Sequence, residues 1–369
     1  MLIFDAHLDL SWNALQFERD IRQSVYTIRQ VEAPMTGKSR AMNTVALPEM
    51  RQGNVFLSLA TLLARASGRP SSGIEYASVA QAHAVAKGQH AYYRALENEG
   101  LIRLITTKAQ LDEHIAVWSV ERGANNESLH APRLTPHAPP LGFILSMEGA
   151  DPITTPDELA EWHALGLRAL GPAHYGPNRY AGGTGTERGL TDGLGPALLK
   201  EMRRLNMLLD CTHLSDESFW QAVKLFDGPL LASHQNCRAI APMQRQFTDE
   251  QLKVVIERGG VIGASFDVVM VRSGWQFASM NNLTVSHPVM MREIVDHIDW
   301  VCQLAGNANH SGIGSDLDGG FGREQSPRDL DTIADLQKLA GLLAERGYKP
   351  DDIEKIMWRN WVRVVQGVL

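Results

Sequence analysis

Residues 208–216, LLDCTHLSD, form a short apolar run that ends on a histidine and then breaks into turn residues. A run of this kind is typical of a strand buried on both faces of a parallel sheet. Eight such runs, mostly separated by amphipathic stretches, predict a (β/α)8 barrel of the TIM type rather than two domains. The runs are LIFDAH (2–7), GNVFLSLAT (53–61), LGFILSME (141–148), LRALGPAH (167–174), NMLLDCTH (206–213), PLLASH (229–234), GGVIGASF (259–266) and HSGIGSD (310–316).

We expect this barrel to occupy residues 1–369 as a single catalytic domain. Residues 118–140 are poor in aliphatic side chains and rich in Pro, His and Asn, which indicates a surface excursion before the third strand. Residues 10–52 form a second long connection, which we expect to cover the functional site of the barrel. The end of the chain, PDDIEKIMWRNWVRVVQGVL, is typical of a capped amphipathic helix with a short tail.

Composition excludes several classes of protein. The 369 residues are 44% hydrophobic and 21% charged, with a net charge of -7, which argues against nucleic acid or an anionic membrane surface as the main partner. No stretch approaches the roughly 20 consecutive apolar residues of a membrane span, and the N-terminus lacks a basic signal-peptide region. Three widely spaced cysteines indicate reduced thiols and a cytoplasmic location; they are Cys211, Cys237 and Cys302.

The ends of the runs carry the strongest functional signal. In a (β/α)8 barrel the carboxyl ends of all strands face the same mouth, so residues there converge on one cavity. Six of the eight runs finish on or beside a residue that can bind metal or transfer a proton. These residues are His7 with Asp9, Glu148, His174, His213, His234 and Asp316.

Five of these residues form a plausible ligand set. His7 and Asp9 lie two positions apart on a strand and point to the same side, although an Asp capping a turn beside a chance histidine has the same pattern. Glu148, deep in an apolar context, needs a partner or a metal; a structural salt bridge is the alternative. His213 and His234 end strands that lie about 4.8 Å apart as neighbours, so they can share one cation, with Glu148 as the bridge to a second.

The remaining polar residues suggest chemistry. Three histidines and two carboxylates suit zinc, and such an open site leaves room for a water between two ions. Asp316 can deprotonate that water and pass the proton to a leaving amine; Asp318 competes, but is more typical of a turn before two glycines. His174 is placed to hydrogen-bond an oxyanion. Arg245 can clamp a carboxylate, although a surface arginine is the alternative, and Arg179 and Arg238 are weaker candidates.

Several motifs resemble one known family. DAHLDLSW, SMEGAD, DCTHLSD, SH followed by NCR, GIGSDLDGG and the terminal RNWVRVV are similar to the membrane (renal) dipeptidase family, peptidase family M19, of the amidohydrolase superfamily. The similarity extends over about residues 3–367. The His-x-Asp pair and the spacing between His213 and His234 are its specific features.

The resemblance implies a binuclear zinc dipeptidase on a (β/α)8 barrel, which hydrolyses the amide bond of dipeptides by a metal-bridging hydroxide. His7 and Asp9 match the ligands of one Zn²⁺, His213 and His234 those of the other, and Glu148 the bridge. The other three matches are Asp316 as catalytic acid and base, His174 at the scissile carbonyl and Arg245 at the terminal carboxylate of the substrate. The resemblance also makes a homodimer the default expectation.

Two features depart from the family pattern. Eukaryotic members are secreted, disulfide-linked and lipid-anchored, and these properties are not transferred to this chain. Pro172–Ala173 precedes His174, where family members often carry a threonine. The alternative function is that of a related amidohydrolase acting on N-acyl amino acids or another small amide or lactone. A metal-binding protein without turnover, and a barrel with purely structural histidines, are the remaining hypotheses.

Overall fold

A computed structural model describes residues 1–67, 74–124, 139–274 and 287–369. Nine parallel strands form the sheet, in the order β7-β6-β5-β4-β2-β1-β9-β8, with β3 paired to β4. The strands are β1 (Ile3–Leu8), β2 (Val55–Leu63), β3 (Ile102–Leu104), β4 (Leu141–Glu148), β5 (Leu167–Gly171), β6 (Leu208–Asp210), β7 (Leu230–Leu231), β8 (Ile262–Ala264) and β9 (Ser311–Ile313).

The sheet curls into a nearly closed barrel. The first and last strands pair in parallel through Asp5 and Ile313. On the opposite side, a single bridge between Ala232 and Ile262 connects β7 to β8, and the Ala232 N–H donates to Val261 O at 3.0 Å. The prediction of a (β/α)8 TIM-type fold is therefore confirmed.

Each of the eight predicted runs overlaps one barrel strand, and β3 is the one that the sequence did not reveal. It has three residues, of which Arg103 is only partly buried, and it follows a long helix directly. Residues 102–104 pair with only the first three residues of β4, beside the point where β5 begins to pair. A strand this short leaves no apolar run in the sequence.

Helices follow most of the strands and pack around the barrel. They are α1 (Leu10–Gln16), α2 (Val25–Glu32), α3 (Leu47–Gln52), α4 (Val79–Asn98), α5 (Lys108–Ala124), α6 (Leu159–Ala164), α7 (Leu194–Arg204), α8 (Asp216–Leu225), α9 (Asp249–Glu257), α10 (Val268–Val271), α11 (Met291–Ala305), α12 (Lys338–Glu345), α13 (Pro350–Glu354) and α14 (Asn360–Gln366). Short 3₁₀ turns at Pro156–Glu158, Arg323–Gln325 and Ile333–Gln337, and one π-helical turn at Lys355–Arg359, complete the described elements. Within the described part of the chain, no helix is both long and apolar enough to cross a bilayer.

Two helical segments have clear local interactions. Thr248 caps α9 in a capping box with Gln251. The predicted C-terminal helix is present as three consecutive segments, in which Trp361 packs against Phe4 and donates to Ile313 O at 2.9 Å. Of the predicted surface excursion, residues 125–138 lie outside the described residues.

Two buried histidines outside the barrel mouth connect their helices to neighbouring segments through hydrogen bonds. The His297 Nδ1 atom accepts the Cys237 N–H at 3.1 Å, so its Nε2–H donates to Val271 O at 2.9 Å. His114 Nε2 hydrogen-bonds Phe56 O at 2.9 Å. Burial lowers the pKa of both imidazoles to about 4. Both rings are therefore neutral in the folded protein at neutral pH.

We expect this pair to make the fold sensitive to acid. Each histidine has a folded-state pKa near 4 and an ordinary unfolded value of 6.5, so its contribution is complete above pH 6.5 and is lost as the pH falls towards 4. The loss amounts to about 3 kcal/mol for each ring. Urea unfolding with excess chelator at pH 7, 5.5 and 4.5 measures it. In the variant His297→Asn the decline should be smaller by one ring's share; an equal decline would contradict the assignment.

Candidate active site

A cavity with about 430 Å³ of empty space lies at the carboxyl ends of the barrel strands. Seven of the eight residues predicted from the sequence line it, and the eighth, His7, lies against them. The convergence expected from the strand ends is therefore present. The lining residues from the prediction are Asp9, Glu148, His174, His213, His234, Arg245 and Asp316.

One group of donor atoms brings together three strand ends. Glu148 Oε1 lies 3.1 Å from His213 Nε2 and 3.3 Å from His234 Nε2. The two Nε2 atoms are 3.1 Å apart. Tetrahedral zinc with bonds of about 2.0–2.1 Å holds its ligand atoms about 3.3 Å from one another. These three atoms therefore have the spacing of a zinc site.

A second group shares the same glutamate. His7 Nε2 lies 3.6 Å from Asp9 Oδ2, 3.7 Å from Glu148 Oε2 and 3.8 Å from Asp316 Oδ1. Within each of the groups His7–Asp9–Glu148 and Glu148–His213–His234, the donor atoms lie within 4.8 Å of one another. Glu148 thus offers one oxygen to each group.

Buried polar atoms without hydrogen-bond partners also indicate a metal site. His7 Nε2, Asp9 Oδ1 and Glu148 Oε1 are buried without a hydrogen-bond partner among the described residues. Buried polar atoms are normally hydrogen-bonded, so several orphans facing one point require an explanation. A donor set of imidazole nitrogens and carboxylate oxygens fits a borderline cation such as zinc.

Hydroxyl groups orient the imidazoles of the Glu148–His213–His234 group. Thr184 Oγ1 lies 3.0 Å from His213 Nδ1 and 3.3 Å from His213 O. The Thr184 hydroxyl can donate its proton to His213 O, and its oxygen can then accept a hydrogen bond from the Nδ1–H of His213. Ser233 Oγ lies 3.0 Å from His234 Nδ1 in a similar way. This pairing leaves both Nε2 lone pairs facing the cavity, which is the form that binds metal.

The ionised forms of the buried carboxyl groups in the cavity are unfavourable when no cation is bound. Burial lowers the pKa of His174, His213 and His234 well below the usual range, so these rings are neutral. Burial raises the pKa of Glu148 to about 8 and that of Asp316 well above its usual range. His213 and His234 are thus neutral beside crowded carboxylates, which is a condition that favours binding of a cation.

The backbone at two of these positions is strained. His213 has φ 66° and Asp316 has φ 59°, in the left-handed region that non-glycine residues rarely adopt. Such a conformation costs on the order of 1–3 kcal/mol and persists where the surrounding structure enforces it, commonly at functional sites. Gly319 is needed here because a Cβ atom at that position would meet Oδ1 of Asp316.

The structure separates the two aspartates that competed in the sequence. The carboxylate of Asp318 accepts the N–H of Thr44 at 2.7 Å and that of Val45 at 3.0 Å, and it is not among the cavity-lining residues. Asn13 also donates to Asp318 O at 2.9 Å. Asp318 is thus an anchor for the connection at residues 10–52, and Asp316 is the aspartate that faces the cavity.

Arg245 does not present a free guanidinium. Its Nη1 donates to Gln235 Oε1 at 2.7 Å and its Nη2 to His234 O at 3.0 Å, while Nη2 also lies 3.3 Å from His213 Nε2. One lone pair on His213 cannot serve both this hydrogen bond and a metal. Binding of a cation there therefore requires the Arg245 guanidinium to turn away. The weaker candidate Arg238 is engaged by Asp216, with its Nη2 at 2.7 Å from Oδ1.

Three residues in or beside the cavity were not predicted from the sequence. Thr184 contacts His213 but does not line the cavity, and it lies in a glycine-rich loop in which no local pattern indicates its partner. Tyr175 directly follows His174, is 45% exposed and places its ring 4.9 Å from that of His213. Asp267 follows the run GGVIGASF immediately, which is the same signal that identified Asp316. Its Oδ1 accepts the Val269 N–H at 3.0 Å and Gln325 Nε2 at 2.7 Å.

Comparisons with known proteins agree on one family. The model of Membrane dipeptidase (Peptidase family M19) matches residues 1–368. A Klebsiella pneumoniae protein, "Uncharacterized protein in pqqA 5'region", is 32% identical over 237 residues, covering 62% of this chain and 82% of that protein. Dipeptidase tcpJ of Claviceps purpurea is 28% identical over 213 residues, 56% of this chain and 46% of its own length.

A solved structure shares the fold across the whole chain. The metallo peptidase from Rhodobacter sphaeroides, liganded with a phosphinate mimic of the dipeptide L-Ala-D-Ala, superimposes with a TM-score of 0.76 at 23% identity. The superposition covers 100% of this chain and 99% of that one.

Proposed function

Because the chain belongs to the membrane dipeptidase family, peptidase family M19, we propose that it is a zinc-dependent dipeptidase that cleaves the amide bond of dipeptides. One observation carries the proposal: two groups of buried donor atoms share the two oxygens of Glu148 beside a cavity that Asp316 also lines. This arrangement supports a pair of cations bridged by one carboxylate.

Two Zn²⁺ ions are the proposed cofactors. His7 and Asp9 would hold one, His213 and His234 the other, and Glu148 would bridge them. When bound, the ions lower the pKa of bound water towards neutrality and so supply a nucleophile at physiological pH. The distances of 3.1–3.3 Å among the donor atoms of Glu148, His213 and His234 support zinc at the second position.

The chain's own residues would carry the remaining steps. Asp316, 3.8 Å from His7 Nε2, would take the proton of the attacking water at its carboxylate and return it to the leaving amine. His174 would donate a hydrogen bond to the developing oxyanion, as its position on the cavity wall beside Glu148 supports. Once turned away from His213, the guanidinium of Arg245 would bind the terminal carboxylate of the substrate.

Three wider properties belong to the same proposal. We propose that residues 1–369 form one catalytic domain, supported by a cluster of buried apolar residues that includes both Leu2 and Val368. The three cysteines are free and buried, which supports a reducing, cytoplasmic location. A homodimer, without nucleic-acid or membrane partners, is the proposed assembly, and light scattering during gel filtration measures it.

Elemental analysis with a substrate panel tests the function. The purified protein should contain about two equivalents of zinc and cleave dipeptides with a free carboxyl terminus. Amidated dipeptides should be cleaved with a kcat/KM lower by roughly 30- to 1,000-fold, the range expected for losing a buried charge pair. In Arg245→Leu this preference should disappear. A protein without zinc or hydrolysis would refute the proposal, and better cleavage of N-acyl amino acids or lactones would favour the related amidohydrolase.

A further inference from the structure

Two buried aspartates occupy equivalent positions below the cavity. Asp5 Oδ1, in β1, accepts the N–H of His7 at 3.2 Å and that of Ser315, in the segment after β9, at 2.8 Å. Ser315 is the residue directly before Asp316. A single carboxylate oxygen therefore joins two neighbouring strand ends, at the points where both deliver residues to the cavity.

Asp210 repeats this arrangement on another pair of strands. Its Oδ1, at the end of β6, accepts the N–H of Thr212 and that of Ser233, both at 3.0 Å. Thr212 and Ser233 directly precede His213 and His234. The pattern is the same: one N–H from two residues further along the strand, and one from the residue before a cavity residue on the neighbouring strand.

We propose that Asp5 and Asp210 are positioning residues of the site, each acting as a clasp between two strand ends. The Asp210 clasp sets the separation of His213 and His234, and the Asp5 clasp sets that of His7 and Asp316. This inference rests on the proposed function of these side chains as ligands and proton carrier. The proposal follows from the hydrogen bonds of these two carboxylates.

The clasps are needed because the strand ladders end too early. β6 has three residues and β7 two, and their last paired residues are Asp210 and Leu231. His213 and His234 both lie beyond the paired residues, so the pairing of β6 with β7 does not extend to them. β1 and β9 pair at only one register position. A carboxylate that accepts one N–H from each side replaces the missing ladder bonds.

The Asp210 clasp also reaches the imidazole rings. Ser233, held by its N–H, places its Oγ 3.0 Å from His234 Nδ1. Thr212, held in the same way, accepts the His234 N–H at its Oγ1, at 3.4 Å. Loss of the Asp210 carboxylate would therefore displace the groups that orient the Nε2 lone pair of His234 towards the cavity.

The test compares Asp210→Ala with Asp210→Asn. Asparagine keeps an oxygen that accepts both N–H groups, whereas alanine removes it. Zinc affinity, measured by competition with a chromophoric chelator, should fall by about 10- to 100-fold in D210A and recover to within about threefold of wild type in D210N. Glu49→Ala is the matched control, because Glu49 is a buried acid that accepts the Val25 N–H at 3.2 Å and is not among the cavity-lining residues.

Thermal unfolding of each variant separates positioning from stability. A merely structural role predicts that D210A and E49A both unfold at lower temperature while the folded protein keeps wild-type zinc affinity. That outcome would overturn the proposal, as would a D210N protein with the same loss as D210A.

A crystal structure of metal-free D210A gives a readout that does not depend on metal binding. We expect the Nε2 atoms of His213 and His234 to separate beyond the present 3.1 Å, and D210N to retain it. Unmoved imidazoles in D210A would contradict the clasp. If the wild-type protein bound no zinc, the proposed function would fail, and this crystallographic comparison would still decide whether Asp210 positions the two rings.

Discussion

Asp316→Asn is expected to lower kcat by about 10³-fold while zinc content and KM stay close to wild type. Asparagine has the size of aspartate, so the turn with φ 59° and the close approach of Gly319 are preserved. The amide cannot take a proton at neutral pH, and proton transfer to the leaving amine is lost. Steady-state kinetics on a dipeptide, with elemental analysis of the same sample, measure both properties.

Asp318→Asn provides the contrasting variant. Its carboxylate accepts N–H groups from Thr44 and Val45, so we expect a lower melting temperature. Turnover per folded molecule should remain within about tenfold of wild type, since removing a buried hydrogen-bond acceptor acts mainly on stability. If D318N lost turnover while D316N retained it, the roles of the two aspartates would be exchanged. Full activity in D316N would remove Asp316 from the mechanism.

Glu148→Gln is expected to have the largest effect on the metal centre. Glu148 is the residue common to the groups with His7 and Asp9 and with His213 and His234. A neutral amide cannot bridge two cations as a carboxylate does, so zinc content should fall from about two equivalents to one or fewer. We expect kcat/KM to fall by roughly 10⁴-fold, which corresponds to about 5.5 kcal/mol of transition-state stabilisation.

In the metal-free protein, the same Glu148→Gln substitution should be stabilising. Burial raises the pKa of Glu148 to about 8, so at neutral pH the carboxyl group is already costly to ionise in the fold. Replacing it by glutamine should raise the melting temperature in the presence of chelator. Added zinc should then stabilise wild type strongly and E148Q weakly. Glu49→Gln is the matched control; a zinc response in E148Q equal to that of wild type would contradict a bridging role.

Most of the fold could be predicted from the sequence because the barrel strands are apolar on both faces. Such runs stand out against amphipathic helices, and each of the eight overlaps one strand. The polar residues at their ends were found by the same rule. Asp267 satisfies the same rule, because it directly follows the run GGVIGASF, but it was not among the predicted residues.

The parts that could not be predicted depend on contacts between distant segments. Thr184 reaches His213 across 29 positions, and Asp5 reaches Ser315 across 310. A threonine or an aspartate of this kind has no local pattern that reveals its partner. The sequence indicated Arg245 as a possible carboxylate-binding residue but gave no sign that its guanidinium would face the Nε2 atom of His213.

Pairing of the first barrel strand with the last has a consequence for biosynthesis. His7 is synthesised long before β9 and Asp316, because most of the barrel lies between them in the sequence. A nascent chain therefore lacks a neighbour of His7 until β9 and the segment after it have been synthesised. The proposed loading with zinc would accordingly follow the synthesis of β9, and the metal-free chain would have to persist until then.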